Sequence, residues 1–214
     1  GTVDVAGLGS TRADPIPAEI FGDRAADVVR HLVARDGWVF IISPALAEAD
    51  LNSVTPGEIR RLYSGDITSW RTLGGPDVEP FLFLGPAVTS DTNTSYEDFF
   101  LAGDTTPSAL DYRAGRATQL VSAAAKRDNA LGVLHASDVS LAREHEVPLL
   151  DVTIDGDSVS VYEEGYPLTD DVYLYTHGEP APRERAFLEL LSSSFGQREL
   201  VGRDLFPAEP PVDW

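Results

Sequence analysis

The spacing of apolar positions changes several times along the chain, and each change predicts an element. PAEIFGDRAADVVRHLVA (17–34) repeats its apolar residues near the helical period and predicts a helix, and GWVFIIS (37–43) predicts a short buried strand ending at Ser43 and Pro44. VTPGEIRRLYSG (54–65) places Thr55 as N-cap, Pro56 at the first helical position, Glu58 at N3 and Gly65 as the stop, so both ends of a helix are defined. VEPFLFLGP (78–86) predicts a strand. RATQLVSAAAKRDNALGVLH (116–135) predicts a helix and then a strand around Leu131 to Leu134, turned by Asp128 and Asn129. VPLLDVTIDGDSVSV (147–161) carries the Asp-Gly turn of a hairpin, and DVYLYTH (171–177) alternates as a strand. PRERAFLELLSSSFGQRELVGR (182–203) predicts a helix broken near Gly196. The alternation of strands and helices predicts an α/β architecture with parallel strands.

Composition narrows the function classes. With 214 residues, 43% of them hydrophobic, the chain can bury a substantial core as one large domain or two small lobes. Its 35 acidic residues against 16 basic ones set a formal net charge of -19, which argues against nucleic acid and anionic membrane surfaces as partners. Any anion it binds must be held by local groups. Cysteine is absent, so there is no disulfide framework and no thiolate chemistry. The longest apolar runs fall short of the ~20 residues that span a bilayer. His31, His135, His145 and His177 lack metal-ligand spacing, so no metal or other cofactor is expected. G-x-S-x-G, H-E-x-x-H and P-loop patterns are absent, and GLGS (7–10) is an incomplete dinucleotide loop, so no enzyme is expected.

SDTNTSYEDFF (90–100) crowds six hydrogen-bonding side chains ahead of an aromatic, helix-like stretch. Thr94 with Glu97 fits a capping box, and Tyr96, Phe99 and Phe100 would form the buried face. A cap needs one such residue. The alternative is that the helix start, with free N–H groups and the positive end of its dipole, holds an anion.

Several stretches together resemble one family, the substrate-binding proteins of phosphate ABC transporters, within the type 2 periplasmic-binding-protein fold. The resemblance rests on LNSVTPGEIRRLYSGDITSWRTLGG (51–75), similar to that family's F-x-G-x-I-x-x-W and L-G-G sequence, and on VDVAGLGSTR (3–12), similar to its D-I-A-x-S-S-R segment. ARDGWVFIISP (34–44), ALGVL (130–134), YPLTDDVYLYT (166–176) and FLELLSSSFGQREL (187–200) follow in collinear order. The resemblance implies two α/β lobes joined by crossover strands, lobe I holding residues 1–43 and 168–214 and lobe II holding 44–167, with an anion in the cleft. It also implies that a hydroxyl-rich segment precedes Gly1, so that the first lobe and the donor set are incomplete here.

Carried over residue by residue, the family's S-S-R element falls on Ser10, Thr11 and Arg12 and its S-G-T element on Ser90, Asp91 and Thr92. A tetrahedral oxyanion needs N–H and O–H donors converging on it and gains from an Arg fork, and these residues supply both. Pro86 stands where the family commonly has an arginine, and Asp91 replaces a glycine; Asp91 could accept a proton from a protonated oxyanion. The implied protein is extracytoplasmic, non-catalytic, and bound to phosphate or a similar oxyanion with an ABC permease as partner. The departures at Pro86 and Asp91 would instead suit a binding-protein-derived envelope sensor or interaction module that has lost anion binding.

Overall fold

A computed structural model of the protein describes residues 6–9, 22–84, 109–161, 166 and 168–208. In chain order its elements are β1 (Ala6–Gly9), β2 (Val28–Ile42), α1 (Pro44–Glu48), β3 (Ser53–Val54), α2 (Pro56–Tyr63), β4 (Phe81–Leu84) and β5 (Tyr112–Arg113). There follow α3 (Ala117–Lys126), β6 (Ala130–His135), α4 (Val139–Glu144), β7 (Leu149–Ile154), β8 (Asp157–Val159), β9 (Thr169–His177), α5 (Pro182–Ser192), α6 (Ser194–Val201) and β10 (Phe206–Pro207). The chain divides into two compact units, Gly1–Gly37 with Thr169–Trp214, and Trp38–Leu168.

In the first unit β9 lies between β1 and the first part of β2, and both pairings are antiparallel. β10 adds to β2 at Arg35 and Ala34, also antiparallel. Residues 28–34, expected as helix, are therefore strand. The pattern Val28-Val29-Arg30-His31-Leu32-Val33 fits a helical stripe, but it also fits a strand with apolar residues on both faces. The β9 ladder, running from Val28↔His177 to Gly37↔Thr169, decides for the strand. Gln197 joins this unit's layers: its amide donates to the Val33 and Leu191 carbonyls at 2.9 and 2.8 Å, and its Oε1 accepts from the Ala208 N–H at 3.0 Å. A buried amide is tolerated because these bonds replace its water. The C-terminal helix breaks at Ser193, whose hydroxyl caps α6 by accepting from the Gly196 N–H at 3.1 Å.

In the second unit the last part of β2 pairs antiparallel with β6, and β6, β4 and β5 follow in parallel. β7 pairs with β2 at Phe40 and Ile41 and carries β3 and the β8 hairpin. The strands are thus mixed rather than all parallel, because the hairpin and the long β2 impose antiparallel neighbours. The core is made of Phe40, Ile41, Ile42, Leu46, Ile59, Leu62, Tyr63, Trp70, Phe83, Leu120 and Leu131, all essentially without solvent contact. The α2 ends are as expected: the Thr55 hydroxyl accepts from the Glu58 N–H at 3.2 Å, Glu58 accepts from the Thr55 N–H at 2.8 Å, and Gly65 turns out of the helix at φ +83°. The hairpin turn uses Asp155 and Gly156 at φ 53° and 94°, as a type I′ turn requires.

Candidate functional site

The six candidate ligand residues, Ser10, Thr11, Arg12, Ser90, Asp91 and Thr92, lie outside the described residues, as do Pro86 and the expected helix start at 92–95. What the structure defines is where the chain enters and leaves these segments. β1 ends at Gly9, opposite Val172, immediately before Ser10. β4 ends at Leu84, beside Val133 of β6 and Arg113 of β5, and the segment holding 90–92 begins at that carboxyl end. In sheets of this kind ligands collect beyond the carboxyl ends of parallel strands.

The return of that segment is tied down firmly. The Ala109 N–H donates to the Tyr63 carbonyl at 3.0 Å, and the Asp111 N–H to the Leu82 carbonyl at 2.9 Å. The Asp111 carboxylate accepts from the Leu82 N–H at 2.7 Å, and the Ala114 N–H donates to the Leu84 carbonyl at 3.0 Å. Residues 109–114 are therefore anchored on α2 and on β4. The Tyr63 hydroxyl, donating to the Phe83 carbonyl at 3.1 Å, fixes α2 against that strand.

Trp38 and Trp70 belong to the core. The buried Trp70 indole donates to the Asn129 carbonyl at 2.9 Å, and Gly74, at φ +88°, ends the short helical turn that Trp70 begins. Asp36 sits next to the unit boundary and accepts from the Gly37 N–H at 2.8 Å. Among the described residues no three histidine or carboxylate side chains converge to hold a metal. His31 Nε2 donates to the Thr176 hydroxyl at 2.9 Å, since that hydroxyl spends its own proton on the Gly178 carbonyl at 2.9 Å.

The first unit also holds a polar cluster that sequence reasoning missed. Arg30 lies over the Tyr173 ring, 4.8 Å from its centroid, and Tyr173 and Tyr175 are ring neighbours at 6.3 Å. The Tyr173 hydroxyl donates to Asp171 at 2.7 Å. Burial and this carboxylate push the Tyr173 pKa from 10.0 up to about 12, although Arg30 opposes the shift; burial likewise raises Tyr175. Both hydroxyls stay protonated through the neutral range. The alternation in DVYLYTH already placed the tyrosines on one face, but Arg30 joins them only once residues 28–34 are known to be strand.

In the second unit an open depression of about 660 Å³ lies on α3, lined by Thr118, Gln119, Ser122, Ala123, Lys126 and Arg127. Its cations are accounted for locally: they lie at the α3 carboxyl end, where the helix dipole favours them, and Arg127 stacks on Phe81 at 3.5 Å.

Two α/β units with one long strand running through both are the architecture of the periplasmic-binding-protein class. Comparison with known proteins agrees. Residues 1–194 match the family model described as PBP superfamily domain, and the chain belongs to that family. It is 24% identical over 189 residues to the phosphate-binding protein PstS of Bacillus subtilis (strain 168), a match covering 88% of this chain and 60% of that protein. The chain thus spans 60% of the length of that curated relative. Among solved structures, a protein of Clostridium perfringens named for phosphate ABC transport and holding bound phosphate superposes with a TM-score of 0.72 at 18% identity, over 96% of this chain and 79% of its own. An ABC-type phosphate transport receptor from Vibrio cholerae gives 0.66 at 19% identity, over 95% and 79%. At such identities the structures speak for the fold.

Proposed function

We propose that the protein is an extracytoplasmic solute-binding protein that captures phosphate or a related tetrahedral oxyanion without turning it over, for delivery to an ABC permease. The observation that carries this reading is the match to a phosphate-binding protein along 88% of the chain. Ser10, Thr11 and Arg12, following β1, and Ser90, Asp91 and Thr92, following β4, are the proposed donor set, with Asp91 accepting a proton from the anion. Because the molecule carries a net charge of -19, attraction must come from short-range N–H, O–H and guanidinium groups, while the surrounding field opposes approach. Among the described residues no helix is long and apolar enough to cross a membrane.

The test is calorimetry and ligand-induced thermal shift on the full-length protein with phosphate, sulfate, molybdate and arsenate. At least one anion should raise the midpoint saturably, and Thr92→Val should weaken its binding by roughly 1–3 kcal/mol with little change in fold stability. If none of the four binds, this reading fails. The departures at Pro86 and Asp91 would then favour a binding-protein-derived envelope sensor or interaction module.

A further inference from the structure

The chain passes between its two units twice, at Gly37–Trp38 and at Leu168–Thr169. On the second unit's side, the residues at both crossings are bonded to one another through the main chain of Trp38. The Trp38 N–H donates to the Leu168 carbonyl at 2.8 Å, and the Trp38 carbonyl accepts from the Tyr166 hydroxyl at 2.6 Å. Both side chains are buried, Tyr166 at 5% and Trp38 at 2% exposure, and the indole is braced by the His135 ring at a centroid distance of 4.2 Å. Beyond the boundary the ladder continues as Gly37↔Thr169 and Asp36↔Asp170.

A ladder bond between two strands resists their separation, and a side chain reaching across from one crossing to the other adds a restraint on their twist. Tyr166 is such a side chain. We propose that Tyr166 is a latch that locks the two crossings together, and thereby a positioning residue for ligand capture, acting through the Trp38 main chain and not by touching the anion. The capture part rests on the oxyanion-binding reading above; the latch itself does not. Burial and the Asp151 charge hold the Tyr166 pKa well above the ordinary tyrosine range, so the latch stays a donor throughout the neutral range.

Amide hydrogen exchange on the ligand-free protein tests the latch, comparing Tyr166→Phe with Tyr63→Phe. Tyr63 is a buried tyrosine of the same unit whose hydroxyl also donates to a main-chain carbonyl, but away from the crossings. Tyr166→Phe should speed exchange at Trp38 roughly tenfold, as expected for losing one hydrogen bond, and leave the amides of Leu131 to Val133 unchanged. Tyr63→Phe should leave Trp38 unchanged. Unaltered exchange at Trp38 in Tyr166→Phe, or an equal rise throughout residues 38–168, overturns the latch. Calorimetry with inorganic phosphate, or with whichever of the four anions binds, then tests capture: Tyr166→Phe should bind roughly threefold to tenfold more weakly, because freed crossings cost more to order on binding, while Ser193→Ala, which loses a helix cap away from both crossings and from the 85–108 stretch, binds as the unaltered protein does. Equal affinity in all three overturns the positioning role. Absence of binding of phosphate, sulfate, molybdate and arsenate alike by the unaltered full-length protein overturns the oxyanion reading and leaves the exchange result to decide the latch.

Discussion

Gly132 lies on β6 between Ile41 of β2 and Phe83 of β4, and the Phe83 ring occupies the space its side chain would fill. Nothing about its backbone calls for glycine; the requirement is volume. Phe83 is fully buried, so its ring has no free direction in which to retreat. Gly132→Ala should therefore destabilise the protein by ~1–3 kcal/mol in urea denaturation, the usual cost of overpacking; a loss below the error of the measurement would show that the ring repacks freely. Ser43 makes the complementary case for a polar residue in the core. It is fully buried, and its hydroxyl accepts from the Ala130 N–H at 2.9 Å just where β2 ends, so the strand end remains hydrogen-bonded in a dry setting.

Among the elements, the α5–α6 junction shows how two helices are kept distinct. Ser193 caps α6 through the Gly196 N–H and donates its own hydroxyl proton to the Leu190 carbonyl at 2.6 Å, satisfying one group from each helix. Gly196 lets the turn close: a Cβ there would run into the Leu190 carbonyl and lie 2.7 Å from the Leu191 carbonyl. Main-chain atoms cannot swing aside as a long side chain can. Gly196→Ala should lower the thermal midpoint by roughly 3–10 °C, followed by calorimetry. Because Gln197 next to it bonds to β2, the same substitution should loosen the first unit more than the second, which exchange protection of β9 against β6 would show.

For the molecule as a whole, buried tyrosines and a large negative charge act together at high pH. Tyr166, Tyr173 and Tyr175 all have raised pKa values, Tyr173 from 10.0 to about 12. Below pH 10 these tyrosines are protonated whether the chain is folded or not, and the shifts cost nothing. Between pH 10 and about 12 the unfolded chain releases the Tyr173 proton while the folded one keeps it. The unfolded state then binds fewer protons, so stability falls as pH rises. Urea midpoints measured from pH 8 to 12 should be flat at first and then decline, and Tyr173→Phe should decline less steeply. A flat profile to pH 12 would contradict the burial of these hydroxyls.

Much of this was legible from the chain alone wherever the decisive interaction is local. The α2 cap follows from Thr55 and Glu58, three residues apart, and the β7–β8 turn from the left-handed tolerance of Asp155 and Gly156. The end of α2 likewise follows from Gly65, at positive φ. Collinear motifs also carried the family assignment, since short stretches with local roles keep their spacing. Residues 28–34 were not legible, because their apolar spacing satisfies a helix and a strand equally, and only β9, some 140 positions further along the chain, breaks the tie. The Arg30–Tyr173 cluster, the mixed strand directions and the Tyr166 bond to Trp38 share that origin. Each depends on which distant segment becomes a neighbour, a choice made by burial and hydrogen-bond pairing over the whole fold rather than by any window of sequence.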